Sequence, residues 1–106
     1  MDIALLKTTL ATAYMEARAQ SALMEDGGTC CMDCPTLSGS MTRKEAKAVS
    51  QVLAELGLRA RSNSFGDLVL TSPSNAQGTP RTWACEYVRD ALVKAGFKAS
   101  VHYVID

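Results

Sequence analysis

The stretch VSQVLAELGLRAR, from Val49 to Arg61, contains in succession the end of a helix, a turn and the start of a strand. Glycine adopts positive φ at little cost, so Gly57 is predicted to end the helix. Beyond it, apolar and basic residues alternate, which is the pattern of a half-buried strand and predicts one over residues 58–63. The helix itself has one apolar face, formed by Ala46, Val49, Val52, Leu53 and Leu56.

A second stretch, VRDALVKAGFKAS, follows the same plan from Val88 to Ser100. It predicts a helix that ends at Gly96 and a strand over residues 97–105, with Pro80 in the first turn of that helix and Thr79 as its cap. The two stretches are either related helix–strand units or two instances of a common pattern, since any helix that stops at glycine and enters a strand looks similar.

Between and around these stretches, two further signals define an αββαβ unit over residues 42–106. Thr42 and Glu45 have the spacing of a capping box, which marks the start of the first helix. Residues 68–71 predict a strand that returns as the second arm of a hairpin. The hairpin and the later crossover favour residues 58–63 as the central strand of a three-stranded, mainly antiparallel sheet. This order resembles a ferredoxin-like α/β plait without its first strand, and the resemblance implies a fold but no function.

The N-terminal segment, residues 1–24, is predicted to be one long helix with Asp2 as its N-cap. If its apolar stripe were left exposed, it would favour a homodimer through this helix. Residues 25–41 have no regular period and are predicted to be a loop, although Thr29–Cys34 could supply the missing strand. The expected class is therefore α+β with two layers. The N-terminal stripe consists of Ile3, Leu6, Leu10, Ala13 and Ala17.

Length and composition exclude several classes of protein. At 106 residues the chain makes a single domain, and an apolar fraction of 47% with 21% charged residues is typical of a globular protein rather than a disordered one. Eleven basic residues balance eleven acidic ones, which argues against binding nucleic acid by bulk attraction. No apolar run approaches the roughly 18 residues of a membrane helix. No signal peptide is recognisable, so a cytoplasmic location is expected.

The four cysteines raise the question of a metal site. Cys30, Cys31 and Cys34 crowd into one segment, and Cys85 lies far from them in sequence. A tetrahedral zinc ion needs about four ligands, and neither a second C-x-x-C nor a paired histidine motif is present. Pro35 directly after the C-x-x-C also argues against a thioredoxin-like helix start. Reduced thiols are expected, and a zinc site is the minor alternative.

A basic surface is the strongest candidate for a binding site. If the strands over residues 58–63 and 97–105 were neighbours, Arg59, Arg61, Lys98 and His102 would project from one open sheet face. Such a face could bind an acidic protein surface or a nucleic-acid backbone, or it could simply be solvated.

No catalytic cluster is recognisable, because the single histidine is not part of a nucleophile motif and no phosphate-binding glycine motif occurs. The expectation is therefore a non-enzymatic protein-interaction module. In size and type the chain is similar to phage and mobile-element accessory proteins, including anti-CRISPRs that block host defence complexes. That resemblance implies a small adaptor or inhibitor. The alternative is a small nucleic-acid-binding module that uses the basic sheet face, with or without a cysteine-bound zinc.

Overall fold

The computed structural model describes residues 2–24, 33–38, 41–62, 67–74 and 79–103. Within these ranges the chain is an α+β protein, as expected. The helices are α1 (Ile3–Ser21), α2 (Arg43–Glu55) and α3 (Thr79–Lys94). The strands are β1 (Cys34–Leu37), β2 (Ala60–Ser62), β3 (Leu68–Leu70) and β4 (Ala99–His102).

The sheet has one strand more than expected. β1 starts where the candidate segment Thr29–Cys34 ends, and most of that segment lies outside the described residues. The strand order is β2-β3-β1-β4, and every neighbouring pair is antiparallel. Together with the βαββαβ order of elements, this is the complete topology of a ferredoxin-like α/β plait rather than an incomplete one.

The prediction that the strand after Gly57 lies at the centre of the sheet is wrong. β2 is an edge strand whose three residues are all exposed. β1 takes the central place, since it pairs with β3 on one side and with β4 on the other. The expected order was derived from three strands. The fourth, β1, lies between the hairpin and β4 and pairs with β3, which leaves β2 at the edge.

The N-terminal helix packs as predicted. Asp2 caps it by accepting a hydrogen bond from the Leu5 amide at 3.0 Å. The predicted stripe is buried except for Ile3, which packs at the margin of the core. α1 lies mainly against α3, so this stripe is already covered within one chain and gives no reason to expect a homodimer through it. The buried members of the stripe are Leu6, Leu10, Ala13 and Ala17.

One apolar core joins the three helices to the inner face of the sheet. Leu37 of β1 and Leu70 of β3 contribute from the sheet, and Val88 and Leu92 contribute from α3. Gly57 and Gly96 end α2 and α3 with φ of 72° and 98°, the left-handed conformation that their positions in the sequence predict.

Replacing Thr42 by alanine is expected to lower the free energy of unfolding by about 1 kcal/mol. The capping box is complete, because the Glu45 amide donates to Thr42 Oγ1 at 3.1 Å and the Thr42 amide donates to Glu45 Oε1 at 3.2 Å. The hydrogen bond from the Thr42 amide also holds the pKa of Glu45 below its ordinary value. Urea unfolding measures the loss. Thr8→Ala, within α1, is the control and should change the midpoint little, because Thr8 only donates back to the Ala4 carbonyl.

Candidate functional site

A groove runs beside α1, where the helix passes the end of α2. It has a volume of about 530 Å³ and its lining is largely apolar. Met15 forms the lip and is 66% exposed, while Leu10 and Leu58 are buried in the floor. Ala11 and Ala19 lie one helical turn to either side of Met15, and their small side chains leave the groove open there. The lining residues are Leu10, Ala11, Tyr14, Met15, Arg18, Ala19, Leu56 and Leu58.

Tyr14 fixes one wall of this groove. Its hydroxyl donates to the backbone carbonyl of Thr71 at 2.6 Å, which ties α1 to the chain just after β3. Burial raises the pKa of Tyr14 well above its ordinary value, so the hydroxyl stays protonated and keeps donating even at alkaline pH. The Arg18 guanidinium lies over the Tyr14 ring, 5.8 Å from its centre, which is a cation–π arrangement.

A second, more polar hollow adjoins the groove. Its volume is about 390 Å³. Arg18 lines both hollows, so it stands at their junction. Ser72 holds the short loop that forms the far wall, because its hydroxyl donates to the Ser74 carbonyl and accepts from the Ser74 amide. The lining residues are Arg18, Ser21, Ala22, Thr71, Ser72, Pro73 and Ser74.

The four basic residues predicted to form one patch do not come together. The register places Arg61, Val69, Thr36 and Ser100 in one row across the sheet, so residues two positions away share their face. Arg59, Arg61, Lys98 and His102 therefore do share a face. However, the first two belong to the β2 edge and the last two to the β4 edge, three strand spacings or roughly 14 Å apart.

The centre of this outer sheet face is not an open surface. Thr36 and Val69, which lie between the two edges, are each only 3% exposed. The four cations therefore form two separate pairs, one at each edge of the sheet. The prediction of a continuous basic face is wrong because it required β2 and β4 to be neighbours.

Cys34 and Cys85 both belong to a polar cluster around Asp33, at the start of β1. The Cys85 thiol is buried and is not part of a disulfide bond. Cys85 Sγ donates to the Asp33 carbonyl at 3.3 Å, and Arg81 Nε donates to the same oxygen at 2.8 Å. Arg81 Nη2 lies 3.7 Å from Cys34 Sγ, and Thr82 Oγ1 donates to the Asp33 carboxylate at 2.7 Å. This polar cluster joins the start of β1 to the first turn of α3.

The polar cluster is a poor place for a metal cation, because the Arg81 guanidinium already supplies positive charge beside Cys34. Burial raises the pKa of Cys85 to about 12, which disfavours the thiolate that zinc needs. Cys30 and Cys31, the other two candidate ligands, lie outside the described residues. Across the described ranges, no three histidine, cysteine or acidic side chains are placed to hold a metal ion.

Sequence reasoning missed the groove almost entirely. Of its lining, sequence analysis placed Leu10 in the buried stripe of α1 and Leu58 at the start of the strand predicted over residues 58–63; both residues are buried, but Leu58 precedes β2. Met15 and Arg18 were given no role. The only signal was a large apolar residue, Met15, on the solvent side of α1, and that is too common on protein surfaces to single out a site.

The groove and the edges of the sheet are the features on which a functional inference can be based. Within the described ranges, none of the helices combines the length and apolar character required to span a bilayer. No family model, no curated protein and no solved structure matches this chain.

Proposed function

We propose that this chain is a non-enzymatic protein-interaction module, a small adaptor or inhibitor of the phage or mobile-element accessory type that acts in the cytoplasm. The observation that carries the proposal is the apolar groove between α1 and the end of α2, with Met15 exposed at its lip. Apolar grooves are a recurring site for segments of partner proteins, and burial of a few anchor side chains supplies most of the affinity.

The alternative of nucleic-acid binding has weaker support. It needs a continuous basic surface, and the cations of the outer face stand in two pairs on opposite edges with a buried centre between them. The groove, by contrast, is contiguous and is formed by residues of α1 and of the turn after α2. Salt-dependent binding of an oligonucleotide that Arg59→Glu abolishes, with Met15→Glu leaving it intact, would favour the alternative.

Met15→Glu is expected to weaken partner binding strongly without unfolding the chain. The new carboxylate would have to enter the apolar groove together with the partner, at a desolvation cost that binding does not offset. The measurement is a tagged pull-down with mass spectrometry, followed by titration of each captured protein, purified, against the wild-type chain and the variant. We expect at least a tenfold loss of affinity.

Val93→Glu is the matched control. Val93 is also an exposed apolar helical residue, 53% accessible against 66% for Met15, and it does not line the groove. Both variants should unfold within a few degrees of the wild-type chain, since surface substitutions rarely exceed about 0.5 kcal/mol. If both variants lost binding equally, or if neither lost it, the groove would not be the binding site.

A further inference from the structure

The carboxylates and the guanidinium of this region differ in whether they have a partner. Glu55, at the end of α2, is held by Lys7 at 2.5 Å, and that contact lowers the pKa of the carboxyl group. Glu16, on α1, accepts a hydrogen bond from the Tyr87 hydroxyl. Arg18 has no carboxylate partner among the described residues, and its contact is with the Tyr14 ring. These two acidic groups of α1 and α2 are therefore engaged, while Arg18, the cation that lines the groove, is available.

The position of Arg18 gives this cation a role. It stands where the apolar groove meets the polar hollow, so a chain segment that fills both must pass it. The Tyr14 ring orients the guanidinium, and Tyr14 is in turn fixed by the Thr71 carbonyl. A planar guanidinium held in this way can donate two parallel hydrogen bonds to a carboxylate.

We propose that the partner is an acidic protein segment. One apolar side chain would fill the groove beside Met15, and an Asp or Glu within about four residues would bind Arg18. The spacing follows from α1, since Arg18 lies three residues beyond Met15 and therefore roughly 5 Å farther along the helix axis. This inference rests on the proposed function and names the chemistry of the partner for the same site.

The test uses a phage-displayed library of random 12-residue peptides, selected in parallel against the wild-type chain and three variants, Arg18→Glu, Met15→Glu and Arg59→Glu. We expect the wild-type chain to enrich peptides that combine a large apolar residue with a nearby Asp or Glu. Arg18→Glu should instead enrich Lys or Arg at that position. Arg59→Glu carries the same charge change on an exposed residue outside the groove lining, and should enrich the wild-type set.

A synthetic peptide of the enriched sequence gives the quantitative measurement by fluorescence anisotropy. Arg18→Glu, or replacement of the peptide carboxylate by its amide, should each weaken binding at least tenfold, and the two changes together should cost less than the product of the single effects. Arg59→Glu should stay within about threefold of the wild-type chain.

The failures of the two proposals are distinguishable. Peptides that bind the groove, lose binding in Met15→Glu and contain no acidic preference would overturn the acidic partner but retain the groove. If no enriched peptide depends on Met15, both proposals fail. Self-association of the wild-type chain that Met15→Glu abolishes, seen by light scattering, would make a second copy the occupant and overturn the acidic partner.

Discussion

Replacing Leu37 by alanine is expected to lower the free energy of unfolding by about 2–5 kcal/mol. Leu37 is 1% exposed and belongs to β1, the central strand that pairs with both β3 and β4. Its side chain packs in the core beneath the helices, so truncation leaves a cavity that the two flanking strands cannot close. A loss of this size is a large part of the stability of a small domain.

Urea unfolding followed by circular dichroism measures this effect as a shift of the midpoint at unchanged slope. Leu23→Ala is the control, since Leu23 lies at the end of the N-terminal helical segment and is 82% exposed, and it should change stability by less than about 0.5 kcal/mol. The comparison tests whether residues 33–38 form a central strand rather than the loop that the sequence predicts. Similar, small shifts in both variants would contradict the position of β1.

The local signals in the sequence predicted most of the fold, because they act within one element. The capping box at Thr42 and the glycines at positions 57 and 96 mark helix ends through backbone geometry alone. The stripe of α1 and the hairpin of β2 with β3 follow from periodicity, which depends only on which side chains must be buried. These elements appear within a few residues of their predicted bounds.

β1 lacked such a signal, and because this strand was not predicted, the predicted strand order was wrong. Its sequence, CPTL, is short, contains proline and shows no alternation, and its last three residues are all buried. Proline in a run normally argues against a central strand, because it cannot donate to a ladder. Here the strand is specified by its pairing with β3 and β4 and by the contacts of Asp33 with α3, which are long-range and invisible to a local pattern.

The candidate site was harder still to predict. The groove is formed by the solvent side of α1 against the turn after α2, and the polar hollow adds the loop after β3. These surfaces become neighbours only once α1 has packed on the plait. The predicted basic face depended on the strand order, so one missing strand was enough to misplace it.

Raising the pH above 9 is expected to destabilise the chain steeply. Burial raises the pKa of Cys85 from an ordinary value of 9.0 to about 12, and it raises the pKa of Tyr14 as well. Between pH 9 and about pH 12 the Cys85 thiol has lost its proton in the unfolded chain but keeps it in the folded chain. Unfolding therefore releases a proton, and the free energy of unfolding falls by about 1.4 kcal/mol per pH unit from Cys85 alone.

The stability from the buried thiol is thus complete below pH 9 and is lost as the pH rises towards 12, which amounts to a few kcal/mol by pH 11. Urea midpoints of the reduced protein at half-unit intervals from pH 8 to 11 measure the slope. In Cys85→Ala the free energy of unfolding should fall less steeply with pH, by about 1.4 kcal/mol per pH unit. This difference in slope is expected whatever the variant does to stability at pH 8. Tyr14→Phe should reduce the slope of the free energy of unfolding only above pH 10, where a solvated tyrosine ionises. If the slope of Cys85→Ala matched that of the wild-type chain, then Cys85 would not be held as a neutral thiol beside the Asp33 carbonyl, and the contact that joins β1 to α3 would have to be revised.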